Sequence, residues 1–139
     1  MGRIAAIIAD LLLVVAFAAI GRASHGEVLD PAGLQRTALP FLAGTLMAWI
    51  GFLLRRHTGT SIRNGVFVWG MTLVLGVLFR LLLGDTAQPA FVVVTAIVLA
   101  VFLIGWRAIL HLVRRGRSTA ARPKDPRRSG NPAKRNAGR

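Results

Sequence analysis

Four long apolar runs constrain this chain more than any other feature. They cover residues 4–20, 38–54, 66–83 and 90–113, and each is at least 17 residues long. A helix needs about 20 apolar residues to cross about 30 Å of hydrocarbon. The shorter runs reach that length once flanking arginines extend their charged heads to the interface. Helices of a water-soluble bundle would carry polar residues down one face, and these runs do not. The pattern predicts an all-α fold, an integral membrane four-helix bundle over residues 1–113. Thr37 with Pro40 opens the second run and Gln88 with Pro89 the fourth, since proline is tolerated in a first helical turn. The connections "RRHTGTSIRNG" and "GDTAQP" are short, so successive helices should be antiparallel neighbours.

The charges are segregated from the apolar runs. Eighteen Lys and Arg residues oppose five acids, a formal net charge of +13. Arg55, Arg56 and Arg63 sit in the second connection, and the segment after Val113 is basic throughout. The first connection sets Arg22 and Arg36 against Glu27 and Asp30, and the third holds only Asp85. By the positive-inside rule, both termini and the second connection face the cytoplasm. The first run resembles a signal peptide in outline, but Asp10 interrupts what would be its apolar centre, so the run is expected to be retained. Residues 114–139 contain ten basic residues, one acid and no apolar residue larger than Ala. Such a segment cannot bury enough surface to fold and is expected to be a disordered, Arg-rich cytoplasmic tail lying against anionic lipid. Without interleaved aromatics to stack on bases, it is not expected to bind nucleic acid.

Three residues charged at neutral pH lie within the runs: Asp10, Arg80 and Arg107. On an insertion scale each costs about 2.5–3.5 kcal/mol at a helix centre. Asp10 and Arg107 fall at comparable depths on the same side of the membrane, which makes them the natural ion pair. Alternatively, an apolar cavity around Asp10 would favour its protonated form and make it a proton carrier. Arg80 lies one turn from the other side, where Asp85, Glu27 and Asp30 are its expected partners. Trp69, Thr72, Gly76 and Arg80 share a helical stripe, as do Ala96, Ala100, Leu103 and Arg107, and Pro40, Gly44, Met47 and Gly51. All three stripes are expected to face the bundle. Trp69 and Trp106 are placed for an interfacial belt, and Trp49 lies deeper.

Chemistry is poorly represented. There is no Cys for a disulfide or a thiolate metal site, no Tyr, and no Ser within the runs. No metal-binding His-Glu-x-x-His helix or phosphate loop is present. Arg22, His25, Glu27, Asp30 and Arg36 form a polar cluster outside the membrane, but their spacing defines no metal site. The chain is therefore expected to be no enzyme and to need no cofactor.

The stretches "ADLLLVVAFAAIGRASHGE", "RTALPFLAG", "GVLFRLL", "AFVVV" and "GWR" resemble a family of small prokaryotic membrane proteins catalogued as domain of unknown function 3054. The resemblance covers about residues 8–107. It implies a four-helix membrane domain of unassigned function, with Asp10, Arg22, His25, Arg36, Pro40 and Arg80 at motif positions, and the chain is expected in the bacterial plasma membrane. The layout is also similar to that of small multidrug-resistance transporters, which carry a carboxylate in the first helix and a Trp in the third, as Asp10 and Trp69 do here. Those transporters use Glu and site tyrosines, which this chain lacks, and the arginines in its spans would repel a cationic substrate. Two expectations follow. In one, the protein is a non-enzymatic membrane module, with ion pairs as staples, that packs with a second copy or a partner. In the other, it is a proton-coupled small transporter working through Asp10. The first expects an apolar pair to replace Asp10 and Arg107 more readily than either can be lost alone.

Overall fold

The computed structural model describes residues 2–26, 28–54 and 60–120, the last four as backbone alone. They form four helices: α1 (Arg3–Ser24), α2 (Pro31–Leu54), α3 (Ile62–Leu82) and α4 (Pro89–Ala120). No strand occurs among the described residues. Every helix contains an 18-residue window with mean hydropathy between 1.8 and 2.6, sufficient to cross a bilayer.

The helix ends follow from local chemistry. Ser61 caps α3, its hydroxyl accepting from the Asn64 N–H at 3.2 Å. At the other end of α3, Gly84 adopts φ +83°, with Gly84 N–H bonded to Leu81 O and Asp85 N–H to Arg80 O. This left-handed closure satisfies the last carbonyls and turns the chain at once into α4. Gly26 (φ +70°) follows the end of α1 in the same backbone region.

The start of α2 departs from the sequence expectation. Pro31, not Pro40, occupies the first turn, and Asp30 is the cap, accepting from Gly33 N–H through Oδ1 at 2.8 Å. The first two turns, "PAGLQRT", are too polar to register as membrane span, yet Asp followed by Pro is a strong helix start. Pro40 therefore lies inside the helix, where neighbouring helices bury it. The fourth helix is also longer than expected. It continues past Val113 to Ala120, so the expected boundary between helix and tail is corrected by seven residues. Its 32 residues span about 48 Å, enough to project beyond the hydrocarbon. The expected disorder of the rest of the tail concerns residues 121–139, which lie outside the described residues.

Each helix packs on the next and α4 closes on α1, while across the α2/α4 diagonal the Phe41 and Phe91 rings meet with centroids 6.4 Å apart. The broadest seam joins α2 and α3. Gly44 rests on the Thr72 backbone, the Thr45 and Thr72 hydroxyls meet at 2.9 Å, and Gly76 lies under the Phe41 ring. Thr45 also donates to Phe41 O at 2.8 Å, which leaves neither hydroxyl unsatisfied inside the bundle. Met47, expected on the inner face, is instead exposed. Buried positions include Asp10, Thr45, Thr72, Thr95 and Arg107, while Leu12, Val101 and Ile109 are more than 60% exposed. Polar groups inside and large aliphatics outside reverse the order of a water-soluble bundle and suit a lipid solvent.

Candidate functional site: an intramembrane charge node

Asp10 belongs to the buried stripe of α1 that also holds Ala6, Val14 and Phe17. On α4 the buried stripe is Thr95, Leu99, Leu103 and Arg107, one residue per turn. The two stripes face each other, and their charged members meet with neither side chain exposed to solvent. Arg107 grips Asp10 with both terminal nitrogens: Nη1 donates to Oδ1 at 2.8 Å and Nη2 to Oδ2 at 2.7 Å. Two indoles complete the site. Trp49 of α2 donates to Oδ2 and Trp106 of α4 to Oδ1, each at 2.9 Å. A carboxylate offers about four lone-pair sites, and here four N–H donors fill them.

The guanidinium is equally well held. Nη1 also donates to Leu103 O at 2.6 Å, and the group lies 4.4 Å from the Trp106 ring centroid. On α3, Gly65 supplies the space for its stem, since a Cβ there would come within 2.6 Å of Arg107 Cδ. Asp10, Trp49, Gly65 and Arg107 thus bring one position from each helix to a single point. A two-fold charge-assisted bond is the geometry that best offsets the desolvation of both ions.

Sequence reasoning found the pair but missed the indoles. Trp106 reads as a belt residue, yet its N–H turns inward to Asp10. Trp69 likewise donates inward, to Ala96 O at 2.8 Å. Only the rotation of each helix about its axis decides which way a ring points, and hydropathy carries little of that information.

The polar residues at the opposite end of the bundle divide into separate groups. Arg22 bonds Val28 O at 2.7 Å and Asp30 Oδ2 at 3.4 Å. Gly33 makes that approach possible, because a Cβ there would collide with the Arg22 guanidinium. Arg36 pairs with Asp85 at 2.7 Å, a contact the early start of α2 allows by placing Arg36 on the helix. Arg80 therefore does not take Asp85 or Asp30, as the sequence suggested. Its Nε donates to Thr86 O at 3.0 Å, and its guanidinium lies 4.7 Å from the Phe91 centroid. His25 is exposed, and Glu27 lies outside the described residues. Among the described residues no three His, Asp or Glu side chains gather as metal ligands.

The Gly33 N–H holds the Asp30 carboxyl below its ordinary range, against a smaller opposing effect of burial and with a still smaller contribution from the Arg22 guanidinium. A carboxyl depressed on folding stabilises the fold fully above its unfolded pKa of about 3.9, and that contribution is lost as pH falls through the folded value. The first turn of α2 is expected to lose amide-exchange protection at acid pH, and Asp30→Ala to remove that acid-dependent change. Equal acid sensitivity in both proteins would refute the assignment.

Four apolar helices with charges enclosed and aliphatics outward define a multi-pass helical membrane protein. Within that class the chain belongs to the family described as "Protein of unknown function (DUF3054)", whose model matches residues 7–110 and so takes in the whole charge node. No curated protein and no solved structure matches the chain.

Proposed function

We propose that this protein is a non-enzymatic helical module of the bacterial plasma membrane, with both termini cytoplasmic, that associates with a second copy or a membrane partner. The saturation of Asp10 carries this reading. A carboxylate that exchanges protons with a substrate needs an accessible lone pair, and here Arg107, Trp49 and Trp106 occupy both oxygens. The node favours a staple that fixes the relative rotation of four helices, and proton-coupled transport through Asp10 is the weaker reading. Orientation rests on Arg55, Arg56, Arg63 and the basic residues after Val113, which would also hold anionic lipid at the cytoplasmic face. No cofactor is required for such a role.

Proteoliposomes enclosing a pH-sensitive dye test the reading. Proton permeability under an imposed gradient is expected to match that of protein-free vesicles for both wild type and Asp10→Asn. A wild-type flux that disappears in Asp10→Asn would replace the module with a transporter.

A further inference from the structure

At the end of the bundle away from the charge node lies a cleft of about 590 Å³, lined by residues of all four helices and of the α3–α4 connection. Its apolar wall is made by Phe17, Ala18, Phe91 and Val94, and its polar mouth carries Arg22, Arg36, Arg80 and Asp85. Val94 is 57% exposed, so the apolar wall runs continuously onto the lipid-facing surface of α4. The charges at the mouth are unequally matched. Arg22 is engaged with Asp30 and Arg36 with Asp85, while Arg80 meets no carboxylate among the described residues. Arg80 lines the cleft, and among the described residues its terminal nitrogens bond no other group. Its Nε bond to Thr86 O and its seat on Phe91 hold the guanidinium in place, which removes part of the ordering cost of binding.

One uncompensated cation above an apolar wall that is open to the bilayer matches an anionic amphiphile with a single charge. We propose that this cleft binds one anionic phospholipid. Its phosphodiester would sit on the Arg80 terminal nitrogens, and one acyl chain would lie along α4 over Phe91 and Val94, beside α1. A planar guanidinium suits two phosphate oxygens at once. A free phosphate would use the mouth and leave the apolar wall empty. Lipid binding at this cleft goes beyond a structural module, and either can fail without the other.

The test is native mass spectrometry of the full chain in mild detergent with equal amounts of phosphatidylglycerol and phosphatidylcholine. Wild type is expected to retain one phosphatidylglycerol per chain. Arg80→Gln should lower that retention about tenfold, the loss expected for a charge-assisted contact. Arg80→Lys should restore part of it, and helix content by circular dichroism should be unchanged in both. A variant with the basic residues from Arg114 to Arg139 replaced by glutamine should retain the lipid as wild type does. Retention that survives Arg80→Gln, or that disappears with the tail charges, would overturn the proposal. Displacement of the lipid by millimolar inorganic phosphate alone would also overturn it, by showing a soluble-anion site. If Arg80→Gln fails to fold, Val94→Trp, which fills the cleft from an exposed position of its wall and leaves Arg80 in place, should abolish retention of the same lipid. Undiminished retention there would contradict the proposed chain path.

Discussion

Replacing Arg107 by methionine is expected to destabilise the protein by about 3–5 kcal/mol, the range for leaving a buried charge without its partner. The reason lies in what remains. Asp10 would keep its two indole donors but lose both charge-assisted bonds, at a position where its side chain is fully buried. Asp10→Asn should have a smaller but still large effect. The amide would present an NH₂ to a guanidinium or an indole N–H, donor against donor, and the Arg107 charge would lose its counter-ion. Both effects are measurable as shifts in the unfolding midpoint in mixed detergent and dodecyl sulfate micelles. Trp49 and Trp106, bonded to the node itself, provide the fluorescence signal. A midpoint for Arg107→Met within the scatter of wild type would show that the pair stabilises nothing.

Gly76→Ala is the second large effect, expected at about 1–3 kcal/mol from overpacking. The added Cβ would overlap the Phe41 ring. Phe41 cannot move aside easily, because it is fully buried, stands edge-on to Phe17 at 5.3 Å and leans on Phe91 at 6.4 Å. Displacing it would disturb α1, α2 and α4 together. At Gly70 nothing stands within 4 Å of an added Cβ, so Gly70→Ala should be tolerated and is the matched control. Equal unfolding midpoints for the two variants would contradict the packing described for the α2/α3 seam.

Much of this was legible in the sequence, for identifiable reasons. Hydropathy alone places four helices, because hydrocarbon tolerates little else as a spanning element. Depth along the helices pairs Asp10 with Arg107, because equal depth on antiparallel elements is a strong geometric constraint. The indole of Trp106 escaped because an aromatic residue near an interface serves two purposes that composition does not separate, and that of Trp49, which lies deeper, because hydropathy does not fix the rotation of its helix. Gly65 and Gly33 escaped for a related reason. A missing Cβ shows its purpose only when the side chain that fills the gap is known, here Arg107 and Arg22. The partner of Arg80 was misread because the polar first turns of α2 hide a helix start, and that start carries Arg36 to Asp85 first.

The indoles also change what an apolar replacement can achieve. With Asp10→Leu and Arg107→Met together, Trp49 and Trp106 would lose their acceptor, each lost bond costing about 1–3 kcal/mol. Tolerance of an apolar pair is therefore a blunt test of the node. A sharper one is the double-mutant cycle of Asp10→Asn and Arg107→Met, which isolates the coupling between the two residues. If Asp10 is a staple held by Arg107, the double variant will be less destabilised than the sum of the single variants by at least about 2 kcal/mol. Additive losses, with no coupling between the two positions, would contradict the central claim that this pair fixes the bundle.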